Sequence, residues 1–361
     1  MSMLGRRVQL TLAVAVVASA FSGILSVGQA NAVLIFVISA VALATLATLV
    51  GQATEQLGER LGPAATGILQ SALGNLPELF VAIFALKKGL VAVVQAALVG
   101  LILGNSLLVL GLAFLVGGLR HGTQRFSSAA PRTIAILTLL SVAALAVPTL
   151  AHGLHTPADP HAEALSTICA VVLLAIFVAS IPFSLSSDQA LRPVAAESTT
   201  TVAAAGSHVW PLWLAATMLA VAGVGAAFVS DWFVAALTPA MAALHLSQAF
   251  TGLVVVALAG NAVENVVGVQ LAAANKPDYA ISVILNSSLQ VALGLIPVLV
   301  VLSLFLGGAH LTLVLPALLV AALGLAAVLS ATIVYDGEST WLEGAALVGL
   351  YGIVAASFWW G

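Results

Sequence analysis

The sequence carries little charge: Asp, Glu, Lys and Arg make up only 6% of its 361 residues, whereas 62% are hydrophobic. A soluble domain has about 25% charged residues, so this composition excludes one. The mean hydropathy of +1.19 indicates instead a chain that crosses a membrane many times. The net charge of −3 is too small to indicate nucleic acid or another polyanion as a partner.

Cysteine is nearly absent as well. Cys169 is the only one in the sequence, so no disulfide can form within the chain, and its apolar surroundings predict a packed thiol without chemistry. The sequence also lacks the HExxH and GxSxG motifs, and no histidine lies in the middle of an apolar segment. An intramembrane enzyme would need such groups at membrane depth. We therefore expect neither an enzyme nor a cofactor.

What the sequence does contain is apolar segments long enough to cross about 30 Å of hydrocarbon. There are eleven: 8–28, 31–51, 63–86, 90–117, 132–150, 162–184, 209–230, 248–273, 278–305, 310–333 and 340–360. They predict an all-α polytopic membrane protein with about 11 transmembrane helices. The polar stretch 185–208 predicts a flexible cytoplasmic linker. In 231–247, apolar residues at helical spacing predict a short amphipathic helix at the membrane interface.

The basic residues predict the orientation, because they concentrate on cytoplasmic loops. With the N-terminus inside, eight of the ten lie on the cytoplasmic side, and only Lys87 and Lys88 lie outside. We expect a multi-pass protein of the bacterial inner or plasma membrane with a cytoplasmic N-terminus. Arg6, Arg7 and the following apolar run, with Ala-Asn-Ala at 30–32, also fit a cleaved signal peptide. Because that run is long for a signal, we expect a retained helix.

Two copies of one motif interrupt the apolar segments. GNLPE occupies 74–78 in the third segment and GNAVE occupies 260–264 in the eighth, so both read G-N-x-x-E. The eighth segment comes five after the third, an odd number, so the copies cross the membrane in opposite directions. This predicts an inverted-topology repeat. We expect 1–30 to form an extra transmembrane helix, and 31–184 and 209–361 to form two five-helix repeats.

The residue types in the motif predict its chemistry. A carboxylate in the bilayer interior costs several kcal/mol unless it is neutralised, paired or hydrated, and a proton or a cation can neutralise Glu78 and Glu264. Gly74 and Gly260 allow the helix to kink and unwind, which frees backbone carbonyls as ligands. A single such glutamate could instead be protonated and bonded to a neighbouring helix. Two symmetric copies make that reading less favoured.

The asparagines add neutral oxygen ligands. Asn75 and Asn261 directly follow the glycines, so each copy offers an amide oxygen beside its carboxylate. Two carboxylates, two amides and freed carbonyls would form an oxygen cage with a charge near −2. Hard divalent cations bind in such cages, and Ca²⁺ tolerates irregular geometry better than Mg²⁺.

At these motifs the sequence resembles the Ca²⁺/H⁺ antiporters, the cation/proton exchanger branch of the calcium/cation antiporter superfamily. The likeness extends from about residue 45 to the end of the chain. It is carried by GNLPELFVAIFALKKGLVAVVQAALVGLILGNSLLVLG (74–111), GNAVENVVGVQ (260–270), ILNSSLQVALGLIPVLVVLS (284–303) and YDGESTWLEGAALVGLYGIV (335–354). The resemblance implies a secondary active transporter that exchanges Ca²⁺ for H⁺ by alternating access at a midplane site.

The resemblance also implies roles for individual residues. Glu78 and Glu264 would be the paired ion- and proton-binding carboxylates. The polar residues that would line the cavity around them are Gln95, Asn105, Ser287, Ser288 and Gln290. Such residues can equally mediate helix packing.

Two acidic residues lie at the predicted mouths of the pathway. Glu55 lies just beyond the cytoplasmic end of the second segment, and Asp231 directly follows the outer end of the seventh. They could gather cations, or they could be solvated helix-end charges. On the outer side, His152 and His155 share a short loop with Asp159, where a solvated loop is the simpler reading than a metal or pH-sensing site.

Departures from the family pattern leave the choice of ion open. Asn265 stands where the family usually has histidine, and Gly104 stands where it has serine. Pro77 is typical of the Na⁺-coupled branch, whose motif resembles G-T-S-x-P-E. A Na⁺/Ca²⁺ exchanger, a Na⁺ or K⁺/H⁺ antiporter on the same fold, and a channel therefore remain alternatives. The partners expected are Ca²⁺, H⁺ and the lipid bilayer, and a homo-oligomer is left open.

We expect the variants Asn75→Thr and Asn261→Thr each to weaken Ca²⁺ affinity to a similar extent, because each removes one amide oxygen from equivalent positions of the cage. The measurement is the Ca²⁺ concentration for half-maximal uptake under a fixed pH gradient, in both single variants and the double. Unchanged affinity in both would show that the two asparagines serve helix packing.

Overall fold

The computed structural model describes residues 5–61, 73–180 and 210–360, and in these ranges the chain is mostly helical. In chain order the helices are α1 (Arg6–Val27), α2 (Ala32–Leu61), α3 (Leu76–Lys87), α4 (Val91–His121), α5 (Ala129–Gly153), α6 (Asp159–Ser180), α7 (Leu212–Leu244), α8 (Gln248–Gly260), α9 (Ala262–Ala273), α10 (Pro277–Ser303), α11 (Ala317–Ile333) and α12 (Trp341–Ser357). The only strands in these ranges are β1 (Gln124–Arg125) and β2 (Glu338–Ser339).

The helices confirm a helical protein with many apolar spans. In the described ranges, seven are long and apolar enough to cross a membrane, or eight if α8 and α9 form one bent span. Helices α11 and α12 are apolar but shorter. The number eleven and the inverted repeat therefore stay predictions. The predicted linker 185–208 and the first part of the third segment, 63–72, lie outside the described residues.

Helix α7 overturns one prediction. There is no separate interfacial helix over 231–247, because Leu212–Leu244 is one helix of 33 residues. Phe233, Leu237 and Met241 follow one another at a spacing of four and are all buried. The ring of Phe233 stacks on that of Phe36 in α2, with 4.8 Å between centroids. The apolar spacing correctly predicted a helix, but its apolar face packs against protein.

Helix α11 begins later than the predicted segment 310–333. The chain is non-helical over 309–316, and the helix starts at Ala317, directly after Pro316. The residue before a proline is disfavoured in helical conformation, which stops α11 from extending backwards. Leu311, Leu313 and Leu315 are buried, an alternation that is typical of extended chain.

A two-stranded antiparallel ribbon, which the all-α prediction missed, joins the loops before α5 and α12. Gln124 pairs with Ser339 and Arg125 with Glu338, whose side chains also form an ion pair of 3.1 Å. The buried side chain of Gln124 donates to the carbonyl oxygen of Ala272 at the end of α9. The ribbon therefore also satisfies one of the last carbonyls of that helix.

The residues form two compact units. The first comprises Met1–Phe84 and Ala175–Leu244, and the second comprises Ala85–Leu174 and His245–Gly361. Each unit contains elements from both predicted repeats.

Within the second unit, α4 and α8 cross with their backbones in close contact. A Cβ atom at Gly100 would overlap the backbone of Leu253, and one at Gly252 would overlap the carbonyl oxygen of Val93. Small residues at such crossings are typical of membrane helices, because dispersion contacts between backbones drive helix association there.

We expect Gly100→Ala to lower the free energy of unfolding by about 1–3 kcal/mol, because backbone atoms of Leu253 cannot move out of the way as a side chain could. The measurement is the thermal unfolding midpoint of the protein in detergent. The matched control is Gly324→Ala in α11, whose added methyl group meets nothing within 4 Å. Equal midpoints for the two variants would contradict the close crossing.

Candidate functional site

The first motif lies in the first unit, at the start of α3. Gly74 and Asn75 form a turn, and Asn75 is buried with 9% of its surface exposed. Pro77 lies in the first turn of the helix, where no intrahelical bond needs its missing N–H group. Glu78 is the third residue of α3, so it lies near the positive end of the helix dipole, which favours a negative charge.

The second motif, in the second unit, has the same local order. Gly260 ends α8, Asn261 separates the helices, and α9 begins at Ala262, so Glu264 is the third residue of a new helix. The chain bends by 63° between 248–260 and 265–273. In both motifs a helix therefore begins directly after the glycine–asparagine pair.

The side chain of Asn261 does not cap α9, as asparagine at such a position usually does. Its Nδ2 instead donates to Oδ1 of Asn105 in α4, at 2.7 Å. Nδ2 of Asn105 in turn donates to Oγ of Ser287 in α10, at 3.0 Å. Three predicted site residues, from α4, from α10 and from the turn between α8 and α9, are therefore joined by hydrogen bonds, and we call them the amide chain.

The amide chain is buried: the exposed fractions are 1% for Asn105, 3% for Asn261 and 6% for Ser287. Among the described residues, Oδ1 of Asn261 is buried and has no hydrogen-bond partner. A buried carbonyl oxygen without a donor costs about 1–3 kcal/mol, unless another species binds it. A cation is such a species, and amide oxygen is a ligand that Ca²⁺ accepts.

The helices that carry Asn105 and Ser287 contain irregular turns at or near these residues. Asn105 lies in a π-helical turn, Gly104–Val109, and α10 has a similar turn at Val291–Leu295, shortly after Ser287. Such turns often occur at functional sites, because one extra residue per turn changes where side chains point. Oγ of Ser288 lies 3.2 Å from Oγ of Ser106, and Gln290 is only partly buried.

Gln95 lies away from the amide chain. It precedes Asn105 by ten residues on α4, which corresponds to about 15 Å along the helix. Its Nε2 donates to the carbonyl oxygens of Thr312 and Val314, at 2.9 and 3.1 Å. Gln95 therefore holds the non-helical chain 309–316 in place.

Two hydroxyl groups hold the same stretch from other helices. Oγ1 of Thr149 in α5 donates to the carbonyl of Leu313 and accepts from the backbone N–H of Leu315. Oγ of Ser166 in α6 accepts from the backbone N–H of Leu313. Nothing in the sequence singles out Thr149 and Ser166, because their partners are backbone groups that leave no signal in the sequence.

The two predicted mouth residues lie in the first unit. Glu55 is exposed on α2, whereas Asp231 is partly buried within α7, thirteen residues before its end. The prediction that Asp231 ends its helix is wrong, because the apolar residues that follow continue the helix. Gathering of cations by either residue stays a prediction.

Two of the loop histidines lie beside the same carboxylate. Nδ1 of His152 lies 2.6 Å from one oxygen of Asp159, and Nδ1 of His155 lies 3.4 Å from the other. Across the described ranges no three His, Cys, Asp or Glu side chains are grouped so that they could hold a metal ion.

Comparison with known proteins identifies the family. The sequence profile described as sodium/calcium exchanger protein matches residues 31–186 and 214–360. The chain belongs to this family. It is 36% identical to the Ca²⁺/H⁺ antiporter of Synechocystis sp. over 336 residues, which cover 90% of either chain. It is 33% identical to the Ca²⁺/H⁺ antiporter ChaA of Bacillus subtilis over 328 residues, or 90% of this chain and 91% of ChaA.

A solved structure supports the same relationship. The structure of native YfkE matches with a TM-score of 0.80 at 29% identity, covering 97% of this chain and 99% of that one. The resemblance inferred from the sequence motifs is thus confirmed at the level of the family. The two matched ranges lie close to the predicted repeats, 31–184 and 209–361.

We expect Gln95→Leu to destabilise the protein by about 1–3 kcal/mol, because the carbonyls of Thr312 and Val314 lose a buried donor. The measurement is again the thermal unfolding midpoint in detergent. Gln270→Leu is the control, because the side chain of Gln270 is exposed on α9. A midpoint for Gln95→Leu no lower than that of the control would show that Gln95 does not support this stretch.

Proposed function

We propose that the protein is a secondary active transporter that exchanges Ca²⁺ for H⁺ across a membrane. The observation that carries this proposal is the similarity over 90% of the chain to relatives that are named Ca²⁺/H⁺ antiporters. The helical structure with at least seven apolar spans supports a membrane transporter. The N-terminus would lie in the cytoplasm, and inward movement of protons would drive Ca²⁺ out of the cell.

The cation would bind at the two G-N-x-x-E motifs. The symmetry of the motifs in the sequence supports equivalent roles for Glu78 and Glu264 as charged ligands. The amide oxygens of Asn75 and Asn261 would complete the cage, and the buried Oδ1 of Asn261 supports this part. Oxygen ligands with a total charge near −2 suit Ca²⁺, which takes six to eight oxygens in irregular geometry.

Exchange would follow from the cost of charge inside the membrane. With Ca²⁺ bound, both carboxylates are ionised and their charge is balanced. Without it, two unbalanced carboxylates would be too costly to retain, so protons replace the cation. The protein would therefore change its access only when loaded with Ca²⁺ or with protons. A gradient of one pH unit supplies about 1.4 kcal/mol per proton to this cycle.

Coupling to Na⁺ is the second candidate. The matched family is described as sodium/calcium exchanger protein, and Pro77 precedes Glu78 as in the pattern of the Na⁺-coupled branch. The experiment is ⁴⁵Ca²⁺ uptake into proteoliposomes with an imposed pH gradient, with an imposed Na⁺ gradient, and with neither. Uptake that requires the Na⁺ gradient would overturn exchange for protons.

We expect Glu78→Gln and Glu264→Gln each to abolish proton-driven ⁴⁵Ca²⁺ uptake while leaving the protein folded. Glutamine resembles a protonated carboxyl group, but it can neither release a proton nor balance the charge of Ca²⁺. Glu163→Gln is the control, because the carboxylate of Glu163 is half-exposed beside His310 at the start of α6. Near-normal proton-driven uptake by either motif variant would rule out the paired-carboxylate mechanism.

A further inference from the structure

The amide of Asn261 has a defined orientation. Its Nδ2 donates to Asn105, so its Oδ1 faces the opposite way, where it is buried without a partner among the described residues. If the amide turned over, Nδ2 would point to that place and would repel a cation. An Asn side chain by itself has no strong preference, because its terminal torsion is broad and roughly two-fold.

The acceptor on Asn105 is itself held in orientation. Because Nδ2 of Asn105 donates to Oγ of Ser287, its Oδ1 is directed towards Asn261. The chain of donors therefore runs in one direction, from Asn261 to Asn105 and from Asn105 to Ser287. All three residues are buried, so water does not compete for these bonds.

We propose that Asn105 is a positioning residue for the cation site: it holds the amide of Asn261 so that the carbonyl oxygen, and not the amino group, faces the ion. Ser287 supports this function by orienting Asn105. The inference rests on the proposed binding of Ca²⁺ at the motif of Asn261. Asn105 touches the ligand residue and not the ion, as outer-shell partners of metal ligands do.

A role of Asn105 in packing alone does not explain this arrangement. The next residue, Ser106, already joins α4 to α10 through its contact with Ser288. That contact holds the same two helices together and does not involve Asn261. Ser106 therefore provides a matched control, with a buried polar contact one residue away on the same helix.

The experiment is a double-mutant cycle on ⁴⁵Ca²⁺ binding to purified full-length protein in detergent. The variants are Asn105→Ala, Asn261→Ala and the double variant, with Ser106→Ala as the control. We expect Asn105→Ala to weaken binding about tenfold, in the range found for outer-shell partners of metal ligands. The double variant should bind no more weakly than Asn261→Ala, because without that amide Asn105 has nothing to orient. Ser106→Ala should bind as the wild type does.

A second cycle covers the case in which Asn105→Ala fails to fold. Ser287→Ala should weaken binding in the same direction, and this effect should also disappear in the background of Asn261→Ala. In transport assays, Asn105→Ala should raise the Ca²⁺ concentration for half-maximal uptake while leaving the maximal rate within about twofold. A loss of maximal rate at unchanged affinity would indicate a structural role and would overturn the inference.

Other outcomes separate the inference from the function that it builds on. If the loss of Ca²⁺ affinity in the double variant equals the product of the losses in the two single variants, Asn105 acts independently of Asn261. Unchanged Ca²⁺ binding in Asn105→Ala would exclude a positioning role. If the wild type binds Ca²⁺ with the expected coupling but does not exchange it for protons, the inference stands and the proposed exchange fails. Absence of Ca²⁺ binding in the wild type would overturn both.

Discussion

Polar groups at membrane depth have no water to bond with, so every interruption of a helix must be satisfied by the protein itself. This constraint explains the irregular parts of the second unit. The non-helical chain 309–316 is held by side chains such as Gln95, which donates to two of its carbonyl oxygens. The break at Asn261 is held by Asn105 through a single hydrogen bond. At this break the buried Oδ1 of Asn261 has no partner among the described residues.

A helix break at membrane depth also supplies positive electrostatic potential. The first N–H groups of the new helix have no partner within it, and they lie beside the third residue of that helix. In both motifs that third residue is a glutamate, Glu78 in α3 and Glu264 in α9. At such a break, the free carbonyl oxygens that end the first helix can act as ligands. The free N–H groups that start the second helix favour a carboxylate. This combination suits a site that alternates between a cation and protons.

The start of the helix in each motif could be predicted because its signal is local. Glycine followed by asparagine inside an apolar segment predicts an interruption, and helices begin directly after Asn75 and Asn261. The π-helical turn at Asn105 and the ribbon at Gln124 had no such signal. The ends of the helices were predicted less well. Hydropathy indicates which residues lipid or protein can surround, but it does not indicate which of them have a helical backbone. Helix α7 runs past Asp231 and α11 begins only at Ala317 for this reason.

The sequence by itself determined the class of protein, the family, and the two motifs with their glutamates. These follow from composition and from residues that are neighbours in the chain, so no knowledge of packing is needed. Only the tertiary structure decided which polar residues meet. It brought Asn105 of α4, Ser287 of α10 and Asn261 of the turn between α8 and α9 together, and it placed Gln95 against the chain before α11. The partner of a buried polar side chain is set by how helices cross, and that crossing depends on close contacts such as the one at Gly100, between residues far apart in sequence.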